Sequence, residues 1–247
     1  MPRPMAERGT FASQPESYGT SVEGTPLHIW YPLKSRVEVL VFAGIHGEES
    51  DTTILLSRAL RSLSRPSKSC AVILCANPDG ARHGTRGNAN GVDLNRNFPS
   101  DNWESGPVTH RWNVDSSSRM ALSPGSTPCS EPEAAALARV VEDLQPETIL
   151  SVHSPLGLVD DPEGTALGGM LAYRSGLPRT VLPNEATPGS FGSWTRDRGL
   201  ATVTYELPNA SVWDMLPVQL PILHDLLEQG LAACSPTLPR AARTVSV

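Results

Sequence analysis

Val39-Leu40-Val41-Phe42-Ala43 is apolar at every position and partly β-branched, so it reads as a strand buried inside a sheet. Three more short runs share this character: Cys70-Ala71-Val72-Ile73-Leu74-Cys75, Thr148-Ile149-Leu150-Ser151-Val152 and Thr202-Val203-Thr204-Tyr205. Between them lie stretches of helical periodicity. Ile54, Leu55, Ala59, Leu60 and Leu63 share one face of a helix that ends before Pro66. Ala134–Leu144 is a second helix, stopped at Pro146, and Trp213 to Leu231 a third, with a start marked by Pro217–Pro221. Strands alternating with helices specify an α/β fold with a mostly parallel or mixed sheet. At 247 residues, with no internal repeat and no break in composition, the chain is expected to form one large domain. Polar residues 1–17 are expected to be mobile, 18–234 to form the domain, and 235–247 to be a frayed tail.

Further signals are local. Asn77-Pro78-Asp79-Gly80 reads as a turn. Ser130-Glu131-Pro132-Glu133 reads as a capping box, with Ser130 as N-cap and Pro132 just inside. Residues 81–128 show almost no periodicity, and a structureless span of that length is usually functional. The four cysteines form no C-x-x-C pair and are read as free thiols rather than disulfides. The net charge of −6 leaves no basic footprint for nucleic acid. Neither a secretory h-region nor an apolar run near the roughly 18 residues of a membrane helix is visible, so a cytoplasmic protein is expected.

The ends of the apolar runs carry chemistry. His46 and Glu49 follow the first in H-x-x-E spacing, His153 ends the third, and Glu206 ends the fourth. A single histidine after a strand is usually packed or on the surface; three strand ends bearing ionisable residues point to a site, because α/β sheets collect function there. Two imidazoles and a carboxylate are an attested ligand set for catalytic Zn²⁺. His46, Glu49 and His153 would hold the ion, and Glu206 would be the general base toward a water activated by it. Arg86, Asn95 and Arg96 can stabilise an oxyanion or bind a carboxylate, and Asp93 can orient a metal-bound imidazole.

In order along the chain, His46/Glu49, Asn77-Pro78-Asp79-Gly80, Gly91-Val92-Asp93-Leu94-Asn95-Arg96-Asn97, His153 and Glu206 resemble the zinc carboxypeptidases related to carboxypeptidase A. Several stretches look like the branch of murein peptide amidases: Arg86 to Pro99, Ser130–Glu133, Val152 to Leu156, Thr187 to Trp194 and Thr204 to Pro208. The resemblance implies a mixed sheet of about eight strands, one zinc ion at His46, Glu49 and His153, and Glu206 as base. It also implies that Arg86 polarises the scissile carbonyl while Asn95 and Arg96 hold the terminal carboxylate. The implied substrate is the γ-D-glutamyl–meso-diaminopimelate amide of murein peptides released in wall turnover. Digestive members carry a lid tyrosine about twenty residues before the base, whereas Pro183 to Ser190 contains none. Gly189–Trp194 either shapes the pocket instead or is a tight turn. Asp160, Asp161 and Glu163 can meet the ammonium of diaminopimelate, although surface acids are the simpler reading. Two alternatives stand beside this: an N-acyl-amino-acid deacylase of the aspartoacylase or succinylglutamate desuccinylase type, which shares G-x-H-G-x-E, and a non-catalytic binding module.

Overall fold

The structure is a computed structural model, and it describes residues 9–34, 36–111, 116–183 and 187–235. Residues 1–8 and 236–247 lie outside the described residues, and of the segment expected to be mobile Glu16 and Ser17 are paired in a strand with Ile29 and His28. The elements run β1 (Glu16–Thr20), β2 (Pro26–Ile29), β3 (Val39–Ala43), α1 (Ser50–Ser62), β4 (Cys70–Ile73), α2 (Pro78–His83), β5 (Val108–Arg111), β6 (Arg119–Leu122), α3 (Pro132–Leu144), β7 (Thr148–His153), β8 (Leu156–Asp160), α4 (Ala166–Ser175), β9 (Arg179–Thr180), α5 (Phe191–Asp197), β10 (Ala201–Pro208) and α6 (Val212–Gln229).

The main sheet has the order β4-β3-β7-β10-β8-β9. Its first four strands are parallel, and β8 runs antiparallel to β10. The sheet is therefore six-stranded rather than about eight. Strands β1 and β2 pair with each other, and the chain after β2 joins the sheet through the bridge of Trp30 to Val72. Proline at position 32, with no N–H to donate, lies two residues beyond that bridge.

The apolar runs are buried on both faces, as parallel strands with helices on each side must be. Alternation divides them. Val39, Val41 and Ala43 join Leu55, Leu56, Leu223 and Leu226 under α1 and α6. Leu40 and Phe42 join Leu137, Val141, Phe191 and Trp194 under α3 and α5. Phe42 meets Phe191 edge-on at 4.7 Å, an arrangement the ring quadrupoles favour.

Three local expectations change. Asn77-Pro78-Asp79-Gly80 opens α2 instead of turning: Asn77 Oδ1 accepts from Gly80 N at 2.9 Å, and Pro78 takes the first helical position. The capping box does not form, because α3 has Glu131, not Ser130, as its N-cap and no side-chain cap. Glu131 and Glu133 are instead drawn inward to accept from Asn88 Nδ2 at 2.8 and 3.0 Å. Pro217 and Pro221 lie inside α6, whose true start is Ser211, a side chain that accepts from Asp214 N. All four cysteines are free thiols. Among the described residues no helix is long and apolar enough to cross a membrane.

Candidate metal centre and active site

Strand register builds the site. Glu206 pairs with His153 across β10 and β7, and Ala43 pairs with Val152 across β3 and β7. From β3 the chain crosses to β4 on one side, whereas β7 leads to the strands on the other. The crevice beyond β3 and β7 is thus a topological switch point. His46 enters it because the chain turns at Gly44, whose φ of +63° leaves Thr53 Oγ1 2.7 Å from the position of a Cβ. Asn77 Nδ2 then holds the Ile45 carbonyl at 3.2 Å. Gly47 lies against α2 so closely that a Cβ there would fall 2.0 Å from the Gly80 carbonyl carbon.

His46 Nδ1 lies 2.7 Å from Glu49 Oε1, and His153 Nδ1 lies 3.1 Å from Glu49 Oε2. All three side chains are buried, and their candidate ligand atoms lie within 4.8 Å of one another. Donors about 2 Å from a tetrahedral zinc sit about 3.3 Å apart, so this set fits such an ion. On the other edge of the ring, His46 Nε2 is 3.3 Å from Asp93 Oδ1, the carboxylate–imidazole pairing that orients metal ligands. Burial and the Arg86 charge oppose an imidazolium at His46, yet Glu49 and Asp93 outweigh them and push its pKa up to about 9. The two carboxylates therefore favour positive charge at His46. Asp93 resists its burial and stays well below the usual carboxylate range, because Arg86 and His46 face it.

Glu206, 8% exposed, accepts from Leu156 N at 3.3 Å. Burial raises its pKa, His153 opposes the rise and the Glu49 charge adds to it. A carboxyl raised in this way holds a proton more tightly than an ordinary one, which suits a group that must receive and return it. Arg86 donates from Nε to Asp93 Oδ2 at 2.9 Å, with Nη1 3.7 Å from Glu48. Asn95 Oδ1 accepts from Phe191 N at 2.9 Å, while Arg96 donates from Nη1 to the Asn95 carbonyl at 2.5 Å. The buried Nε of Arg96 has no partner among the described residues.

All seven of these residues other than Asp93 line one cavity of about 310 Å³. Asp93 is fully buried behind it. The stretch Gly189–Trp194 is both a turn and a wall: Ser190 caps α5, and Ser190 to Ser193 line the cavity. Asp161 is neither a surface acid nor a cavity residue, since it is buried against Arg179 at 2.5 Å and Thr165 N at 3.0 Å. Asp160 and Glu163 do reach the cavity.

Sequence reasoning missed His110, Glu48 and Arg196, which also line it. His110 stands on β5 with Nε2 3.3 Å from Asp93 Oδ2; burial and then the Arg86 charge pull its pKa down to about 4. No periodic signal marks it, because the β5–β6 hairpin lies within the aperiodic stretch. Glu48 was legible only as the residue between two others already chosen.

A family model described as zinc carboxypeptidase matches residues 5–159. The chain is 45% identical over 212 residues to murein peptide amidase A of Escherichia coli (strain K12), covering 85% of this chain and 87% of that one. It is 41% identical over 211 residues to the protein of the same name from Vibrio campbellii (strain ATCC BAA-1116), covering 84% and 85%. Among solved structures it is similar to murein-tripeptide amidase MpaA from Escherichia coli O157, with a TM-score of 0.84 and 42% identity over 91% of this chain and 96% of that one.

Proposed function

Because the chain belongs to the zinc carboxypeptidase family, we propose that it hydrolyses the γ-D-glutamyl–meso-diaminopimelate amide of murein tripeptides, as a zinc-dependent amidase of peptidoglycan recycling. The observation that carries this reading is the convergence of two imidazole nitrogens on the two oxygens of Glu49, with Glu206 on the adjoining strand end, in a chain of this ancestry. One zinc ion per chain would be held by His46, Glu49 and His153. It supplies a Lewis acid that lowers the pKa of water and polarises a carbonyl.

Every other role falls to side chains. Glu206 takes the proton from the attacking water and later gives it to the leaving amine. Arg86, fixed by Asp93, donates to the carbonyl oxygen as negative charge develops there. Asn95 has its Oδ1 engaged by Phe191 N, which turns its amide donors to the substrate. With the Arg96 guanidinium, which lines the same cavity, they receive the terminal carboxylate. The unit that does this is residues 18–234, acting in the cytoplasm on a small peptide. The deacylase alternative is not favoured, because the relatives matched over most of their length are murein peptide amidases.

The test is hydrolysis of L-Ala-γ-D-Glu-meso-diaminopimelate by the purified protein, with and without a zinc chelator, reading free diaminopimelate. Release that the chelator abolishes and added zinc restores is expected. No release from zinc-loaded protein, with turnover of an acylated amino acid instead, would overturn the substrate assignment.

A further inference from the structure

The amide assigned above leaves the third residue with a side chain that ends in an ammonium and a carboxylate on one carbon. The same cavity also carries charges of both signs away from the metal donors, at Asp160, Glu163 and Arg196. Asp160 pairs in register with Thr204, two residues before Glu206 on β10, which places it about 7 Å along the sheet from the base. Asp160 Oδ1 accepts from Leu182 N at 2.8 Å, which leaves its second oxygen for another donor. Glu163 follows on the turn after β8, and Arg196 faces both acids from α5.

Two arginines stand near these acids, and they differ in one respect. Arg179 is committed: it donates to Asp161 Oδ2 from Nε and Nη2 at 3.0 and 2.5 Å and to the Thr165 carbonyl at 3.1 Å. Arg196 makes no side-chain hydrogen bond or ion pair among the described residues, although its charge is close enough to oppose in part the burial that raises the Asp160 and Glu163 carboxyls. A cation and two acids therefore share one wall without closing on each other. Folding has satisfied Arg179 and Asp161 and left the other three groups facing the cavity.

We propose that Arg196 and the acids Asp160 and Glu163 select the side chain of the released residue, Arg196 binding its carboxylate and the acids its ammonium. The proposal rests on the amidase reading above. Guanidinium and carboxylate make a two-pronged, charge-assisted contact, and an ammonium meets carboxylate oxygens as a point charge. A side chain lacking either group leaves its partner in the wall unpaired, and that loss is the origin of the discrimination.

Three tripeptides, alike except in the third residue, separate the contributions. The meso-diaminopimelate peptide has both groups, the L-lysine peptide only the ammonium, and the L-2-aminopimelate peptide only the carboxylate. Arg196→Gln is expected to lower kcat/KM on the order of 10- to 100-fold for the diaminopimelate and aminopimelate peptides, while leaving the lysine peptide unchanged. Arg196→Lys should recover part of the loss. Asp160→Asn combined with Glu163→Gln should lower the diaminopimelate and lysine peptides by a similar factor and spare the aminopimelate peptide. A purely structural role would move all three together, and zinc content measured on the same samples would fall with it. Equal losses on all three peptides, or none, would overturn the proposal while the amidase reading stands. Wild-type protein that cleaves none of the three would overturn both.

Discussion

Glu206→Gln separates the base from the fold. The substitution keeps the volume of the side chain and its acceptor toward Leu156 N, and removes only the capacity to carry a proton. Positioned general bases contribute roughly 10²- to 10⁴-fold to turnover, which at 1.36 kcal/mol per decade is about 3–5 kcal/mol of transition-state stabilisation. The variant should therefore bind zinc and peptide normally and lose kcat by two to four decades. Stability should move the other way. Burial raises the folded-state pKa of Glu206 above its ordinary value near 4.5. A raised carboxyl contributes stability below the unfolded pKa and loses it as pH rises through the folded one. In chelator-treated protein, the variant should thus gain melting temperature relative to wild type between pH 4 and pH 8. The assay pairs single-turnover release of diaminopimelate with thermal denaturation at the two pH values. Turnover within a few-fold of wild type would refute the base assignment. A variant that loses stability relative to wild type as pH rises would refute the burial argument.

Three further outcomes test the surroundings of the site. Asp93→Asn should weaken zinc binding about 10- to 100-fold, the usual effect of losing a carboxylate behind a ligand histidine; competition with a chromogenic chelator measures it, and unchanged affinity would remove Asp93 from that role. Arg96→Ala should lower kcat/KM roughly 10- to 100-fold through KM for peptides with a free terminal carboxylate, and should barely affect the same peptide as a terminal amide; equal effects on both would argue against carboxylate binding. Gly47→Ala forces a methyl group against the Gly80 carbonyl carbon, so it should cost about 1–3 kcal/mol of stability and several degrees of melting temperature, and should also weaken zinc retention; a normal melting curve would show that the two backbones need not approach so closely.

How much of this was legible beforehand depends on which interactions position each residue. That His46, Glu49, His153 and Glu206 gather at one edge of the sheet was legible because a buried strand announces itself by a short apolar run, and parallel strands bring their carboxyl ends to one edge. The tertiary structure added only the register that sets Glu206 beside His153. The glutamates before α3 read differently in sequence and in space. Ser130-Glu131-Pro132-Glu133 has the local form of a cap, but Asn88, more than forty residues away, claims both carboxylates. The prolines of α6 likewise suggested a boundary that side-chain packing overrides, since Ile222, Leu223, Leu226 and Leu227 bury the helix against the sheet.

The sequence by itself determined the class of fold, the strand ends that carry ionisable groups, and the motif order that marks the family, because each is written in neighbouring residues or in their spacing. The structure alone decided which charges remain open. Asp161 and Asp160 are adjacent in the chain, yet one is closed by Arg179 and the other faces the cavity. Arg86, His110 and His46, distant in the chain, converge on Asp93. Hydrogen bonds between residues distant in sequence place these groups, and such bonds leave no periodic trace in the order of residues.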